Sequence, residues 1–213
     1  MADNYLESKM EELRETGQKR PAAKHTRSLE TLLTLNRSYR GYDKKVVVGR
    51  STLEKIVTVN TKIPSAKNQQ VLRFKLITRD SGADKVLQNI KLGGMLPELH
   101  LPCPGTEPEA FIIICSTVPE SKLVDIDLGI AAQSMLLRAV DLGLNGLMIG
   151  AFNKAALKQE FALEMEPLLI LAIGKGAEEI RLTAIPEGES HAYYRENGVH
   201  FVPKVRVDDL ILP

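Results

Sequence analysis

The chain has no tryptophan, and aromatic residues make up only 5% of its 213 positions. That leaves no set of stacking rings for a single-stranded nucleic acid. Net charge is also scarce: 28 Lys and Arg against 27 Asp and Glu give +1. No overall field draws such a chain to nucleic acid or to an acidic membrane surface. No apolar run approaches the roughly 20 residues of a membrane span. The N-terminus, "MADNYLESKMEELRE", is acidic and amphipathic, unlike a signal peptide. The two cysteines, Cys103 and Cys115, make no disulfide framework, and a reducing compartment is the default. These absences predict a cytoplasmic protein with neither a nucleic-acid nor a membrane partner.

Chemical signatures are missing too. The chain has no Gly-x-Ser-x-Gly elbow, P-loop, His-Glu-x-x-His pair, paired Cys-x-x-Cys or glycine-rich dinucleotide fingerprint after a strand. His25, His100, His191 and His200 are scattered over loops and tail, and His100 with Cys103 is weak ground for a metal. No metal ligand and no catalytic side chain is assigned. If the protein is an enzyme, a cofactor is the natural carrier of its chemistry.

What is present is 44% apolar and 26% charged, the composition of a soluble globular domain. "NYLESKMEELRE" fits a short helical arm with Leu6, Met10 and Leu13 on one side, joined by a basic linker to a main domain from Ser28. This gives an arm and linker over 1–27 and one domain over 28–213. "SLETLLTL" reads as a helix capped by Ser28, and "STLEKIVTVNTK" as another opened by a Ser51/Glu54 capping box. "VLRFKLIT" alternates as a strand buried mainly on one face, and a short helix is expected near Asp84 to Leu92. "FIIICS" suits a central strand covered on both faces. "DIDLGIAAQSMLLRAVDLGLNG" is the clearest element, a helix capped by Asp127 and closed by Gly143. Its apolar residues surround most of the cylinder, and Gly129, Ala131 and Ala132 would let a second helix approach closely. "LMIG", helix "NKAALKQEFAL", strand "LLILAIG" and an extended apolar-basic tail follow. The alternation gives an α+β or α/β domain without repeats.

"LNRSYRGYD" holds Arg37, Ser38 and Arg40 where the first domain helix gives out. Arginine donors and a serine hydroxyl converge well on phosphate oxygens. In a fully extended strand Arg37 would face away from Ser38 and Arg40, so the segment must curl for both arginines to reach one ligand.

Four segments in order, "NRSYRGYD", "IPSAKNQQ", "DLGIAAQSMLLRAVDLGLNGLMIGAF" and "PKVR", together resemble the nitroreductase family of FMN-dependent oxidoreductases from about Ser28 onward. The resemblance implies an α+β, three-layer fold with a mixed central sheet flanked by helices. It implies a homodimer with the long helix at the subunit interface and FMN in grooves between the subunits. Arg37, Ser38 and Arg40 would line the phosphate, ribityl and pyrimidine side. Pro64, Ser65, Ala66 and Asn68 would approach from the other subunit. Gly150 and Ala151 match the positions whose backbone N–H groups face flavin N5, and Lys204 with Arg206 would complete the phosphate site. Arg195 is a candidate to replace either. The implied activity is ping-pong exchange from NADH or NADPH to a nitroaromatic, quinone or similar small aromatic acceptor. A non-catalytic or dehalogenase-like dimeric flavoprotein is the alternative.

The chain departs from the family's pattern at three places. Asn36 stands where the family often has a first arginine, "QVL" replaces Gln-Pro-Trp, and a Pro-rich stretch around Met95 to Glu107 replaces a helical excursion.

Overall fold

The computed structural model describes residues 27–94 and 101–212. The expected arm helix, Asn4 to Glu15, lies outside the described residues. Four strands form the main sheet: β1 (Leu72–Ile77), β2 (Phe111–Ser116), β3 (Asn145–Ile149) and β4 (Glu166–Gly174). Their order is β1-β2-β4-β3, with every neighbouring pair antiparallel. A parallel bridge from Ser38 to Gly146 adds the arginine-serine segment to the free edge of β3, which makes the pairing mixed.

Every residue of β2 is buried. Successive side chains of a strand point to opposite faces, and the two sides of β2 feed separate cores. Ile112 and Ile114 join one cluster with Leu53, Ile56, Met135 and Leu171. Phe111, Ile113 and Cys115 join the other with Val86, Leu157 and Ile170. Helices α2 (Arg50–Val57) and α4 (Lys122–Asp141) therefore cover one face, and α3 (Ala83–Leu87) and α5 (Lys154–Glu160) cover the other. This is the expected three-layer α+β arrangement. Burial also raises the Cys115 thiol to about 11, as suits a buried apolar residue.

Local signals place several boundaries. Ser28 caps α1 (Leu29–Leu35) by accepting from Thr31 N at 3.1 Å. Asn153 caps α5 by accepting from Ala156 N at 3.1 Å. Gly143, at φ 81°, ends α4 in a Schellman motif: Leu144 N donates to Ala139 O at 2.9 Å, and Gly143 N to Val140 O at 2.9 Å.

Three expectations need correction. Helix α2 is capped by Gly49 without a side-chain bond, because Glu54 is drawn to Arg50 one turn back at 2.9 Å rather than to Ser51. Helix α4 begins earlier than expected, at Ser121, so Asp127 lies in its second turn and is buried. Ala131 and Ala132, 2% and 0% exposed, pack inside this chain's own core and offer nothing to a second helix. The side of α4 that its own chain leaves less covered is Ile126, Ile130, Gln133 and Leu137, with Gly129 beside them. At 3.6 residues per turn these four share one narrow stripe, opposite Met135.

A second sheet was not foreseen. It consists of β5 (Glu179–Ile185), β6 (Tyr194–Glu196) and β7 (Val199–Val205) in the order β5-β7-β6. β5 runs parallel to β7, and β6 antiparallel to it. It carries the apolar-basic tail back beside the arginine-serine segment.

Candidate functional site

The arginine-serine segment curls as its chemistry requires. Tyr39 N donates to Arg37 O at 3.0 Å, a three-residue turn about Ser38. The same N–H reaches Gly146 O at 3.2 Å, which ties the turn to β3. Tyr39 packs against Gly176, where any Cβ would run into the ring, so close approach requires glycine there. Tyr42 O–H closes the segment by donating to Tyr39 O at 2.9 Å.

A residue that the sequence reading passed over locks the curl. Glu178, just before β5, accepts from the backbone N–H of Arg40 and, at 2.6 Å, from that of Gly41. Its other carboxylate oxygen pairs with Arg195 of β6. One carboxylate thus fastens the motif to the second sheet, and Arg195 is committed to it rather than to a ligand.

The result is a polar cavity of about 280 Å³, lined by Asn36, Arg37, Ser38, Arg40, Gln133, Ile180, Tyr193, His200, Val202 and Lys204. Arg37, Ser38 and Arg40 meet Lys204 here, more than 160 positions later in sequence. Arg37 Nη2 donates to Leu33 O, while its Nε is buried without a hydrogen-bond partner. Burial lowers the Arg37 guanidinium from its usual value, with Tyr39 opposing. Arg40 lies 5.0 Å from the Tyr193 ring centroid and hydrogen-bonds Tyr193 O–H at 3.4 Å. Asn36, in the place of the family's first arginine, donates to Gln133 Oε1 at 3.2 Å and so joins the cavity wall to α4. Arg206 does not line the cavity; it pairs with Asp209 at 3.3 Å.

The "PSAKN" residues lie elsewhere in the same chain. Pro64 and Ser65 line an apolar groove of about 440 Å³ with Val57, Ile63, Phe74, Asp127 and Ala131 among its walls. Buried Asp127 holds this loop: Oδ1 accepts from Ala66 N at 2.7 Å and Oδ2 from Gln69 Nε2 at 2.9 Å. Lys67, Asn68 and Gln70 all have positive φ, between 46° and 52°, a conformation that fixed anchors must maintain. Asn68 Oδ1 accepts from Gln70 Nε2 at 2.9 Å. Gly150 and Ala151 are exposed just past β3, outside both the cavity and the groove. A Cβ at Gly150 would meet open space, so a flat ligand could approach the backbone there.

Cavity and groove touch different sides of α4. Gln133 lines the first, Asp127 and Ala131 the second. Ala131 and Gln133 project about 160° apart around a helix.

This fold is the nitroreductase fold. A family model described as "Nitroreductase family" matches residues 106–175, the span from the approach to β2 to the end of β4. A nitroreductase family protein of Clostridium difficile 630 superposes with TM-score 0.56 at 24% identity, over 71% of this chain and 86% of that one. An FMN-dependent nitroreductase of Clostridium difficile R20291 gives 0.56 at 22%, over 71% and 89%. The nitroreductase family protein of Streptococcus pneumoniae TIGR4 gives 0.62 at 15%, over 87% and 100%. No curated protein sequence matches the chain.

Proposed function

We propose that this protein is an FMN-dependent oxidoreductase that takes electrons from NADH or NADPH and reduces nitroaromatic, quinone or similar acceptors by ping-pong exchange. The observation that carries the reading is the convergence of Arg37, Ser38, Arg40 and Lys204 on one cavity, with a buried Arg37 N–H lacking an acceptor. Three cations and a hydroxyl suit a terminal phosphate, and a buried donor without a partner is costly until an acceptor arrives. The cavity is small for a whole flavin mononucleotide and suits its phosphate and ribityl end.

FMN, when bound, supplies reversible two-electron redox chemistry. The chain's own residues bind it and direct access. Arg37, Ser38, Arg40 and Lys204 hold its anionic end. The exposed backbone at Gly150 and Ala151 provides N–H groups for a ring edge without a bulky side chain. Arg206 and Arg195, engaged with Asp209 and Glu178, are assigned structural roles.

Pro64, Ser65, Ala66 and Asn68 are assigned to the ring side of the site in a second copy of the chain. Three features support a homodimer. The loop lies on a different side of α4 from the cavity, so one chain does not bring both sets together. The less-covered stripe of α4 runs into the cavity at Gln133, so a second copy packed on that stripe would lie within reach of it. Helix α1 has no buried residue in its own chain, and Leu29, Leu33 and Leu35 are exposed.

Purified protein should be yellow, release FMN rather than FAD on denaturation, and bleach under anaerobic NADH or NADPH. A colourless protein that fails to take up added FMN would defeat the reading. A yellow protein that neither nucleotide bleaches would limit it to flavin binding.

A further inference from the structure

His200 is buried, with 2% exposure. Its position follows from the pleat of β7: His200, Val202 and Lys204 alternate onto one face, and all three line the polar cavity. Across the sheet His200 is in register with Ile180, another cavity residue. Tyr193 meets the imidazole edge to face, with centroids 5.1 Å apart. His200 Nδ1 is buried without a hydrogen-bond partner. Two buried nitrogens without partners, this one and Arg37 Nε, thus belong to residues lining one cavity. Native structures seldom leave such groups unpaired: protein, ordered water or a ligand completes them.

We propose that His200 Nδ1 is a further donor to the phosphate group held by Arg37, Ser38, Arg40 and Lys204, so that a β7 histidine joins the arginine-serine motif in gripping the ligand's anionic end. The proposal rests on the flavin mononucleotide reading for the ligand's identity, but its chemistry requires only a phosphate. The titratable and charged groups around the imidazole are Arg40 and Arg37 from the motif, Tyr193 and Arg195 at β6, Glu178 before β5, and Lys204 on its own strand. Burial holds the imidazole below its ordinary value, and Arg40 and then Arg195 push it the same way against Glu178. A bound phosphate adds negative charge and an acceptor, both of which favour the protonated ring. A group whose pKa is higher in the complex than in the free protein makes binding tighter as pH falls through the pKa of the complex.

The test uses the full chain after removal of any bound flavin. The His200 imidazole is titrated by NMR with inorganic phosphate present, or chloride at equal ionic strength. Affinities for FMN and for riboflavin are then measured by fluorescence in wild type, His200→Asn and His200→Phe. Phosphate should raise the His200 pKa. His200→Phe should weaken FMN binding roughly 10-fold, while His200→Asn, which keeps a donor near Nδ1, should stay within about 3-fold. Riboflavin affinity should be unchanged throughout. An imidazole that ignores phosphate, a Phe variant that binds FMN like wild type, or equal losses for FMN and riboflavin would each overturn the proposal. If neither variant folds, the wild-type titration decides alone. A protein that binds no FMN yet shows the phosphate shift would defeat the flavin reading and leave the donor in place. Tight FMN binding with an unresponsive His200 would do the reverse.

Discussion

The cavity and the groove are the two concave features on either side of α4, and they differ in what they lack. The cavity has cations, a hydroxyl and buried nitrogens without partners, but no carboxylate among its lining residues. The groove has largely apolar walls and a rigidly held loop, and its two charged residues are already engaged, Asp127 with Ala66 and Gln69 and Arg73 with the carbonyls of Gln70 and Leu72. One is polar and cationic; the other is mainly apolar. A flavin needs both a grip on its phosphate and a flat apolar enclosure for its ring. Under the proposed reading, this chain would make those two provisions on different sides of one helix.

The largest effect is expected where the comparison would break outright. If a second copy completes the site along the α4 stripe, Ile130→Glu should abolish dimer and cofactor together. Sedimentation and absorbance measure both; a yellow monomer of 23.6 kDa would show that one chain suffices. Next in size is Arg40→Ala, which removes a cation from the cavity alone. It should weaken FMN binding by about 1.5–3 kcal/mol and leave the dimer intact, as measured by flavin titration. Unchanged affinity would remove Arg40 from the site.

Asp127→Asn tests the groove instead. The amide offers a donor where Ala66 N or Gln69 Nε2 needs an acceptor, so the loop should lose its anchor at a cost of about 1–2 kcal/mol in denaturant unfolding. Inorganic phosphate binding should be untouched, and a parallel loss there would mean that the two regions are not independent. The smallest effect sharpens the cavity's boundary. Lys204→Ala should weaken FMN binding by no more than about 1 kcal/mol, mainly at low salt, because the side chain is exposed. Arg206→Ala should do nothing measurable, and a larger effect than that of Lys204→Ala would reverse their assignments.

Much of the architecture was legible because it rests on neighbours in sequence. Ser28 and Asn153 cap helices through bonds three residues away, and Gly143 closes α4 through bonds within five. The unbroken apolar run of β2 announced burial on both faces. The arginine-serine motif could be read as an anion site, and the need for it to curl followed from strand geometry. The same local reading failed where a residue's partner is distant. Asp127 resembled a helix cap because aspartate is common there, but its partners are Ala66 and Gln69, about sixty positions earlier. Ala131 and Ala132 looked available to a second helix, since composition does not say which side of a helix meets its own sheet.

What the sequence determined by itself was the set of elements, the central strand and the clustering of two arginines and a serine at residues 37–40. Those follow from backbone propensity, apolar periodicity and functional-group type, which act over a few residues. Only the tertiary structure decided that Lys204 lines one cavity with Arg37, Ser38 and Arg40 while Arg206 does not, that Glu178 holds the motif in its curl, and that His200 enters the cavity wall. Glu178, His200 and Lys204 meet residues 37–41 across more than a hundred positions, and a group at such range is free or committed only once the fold has chosen its neighbours.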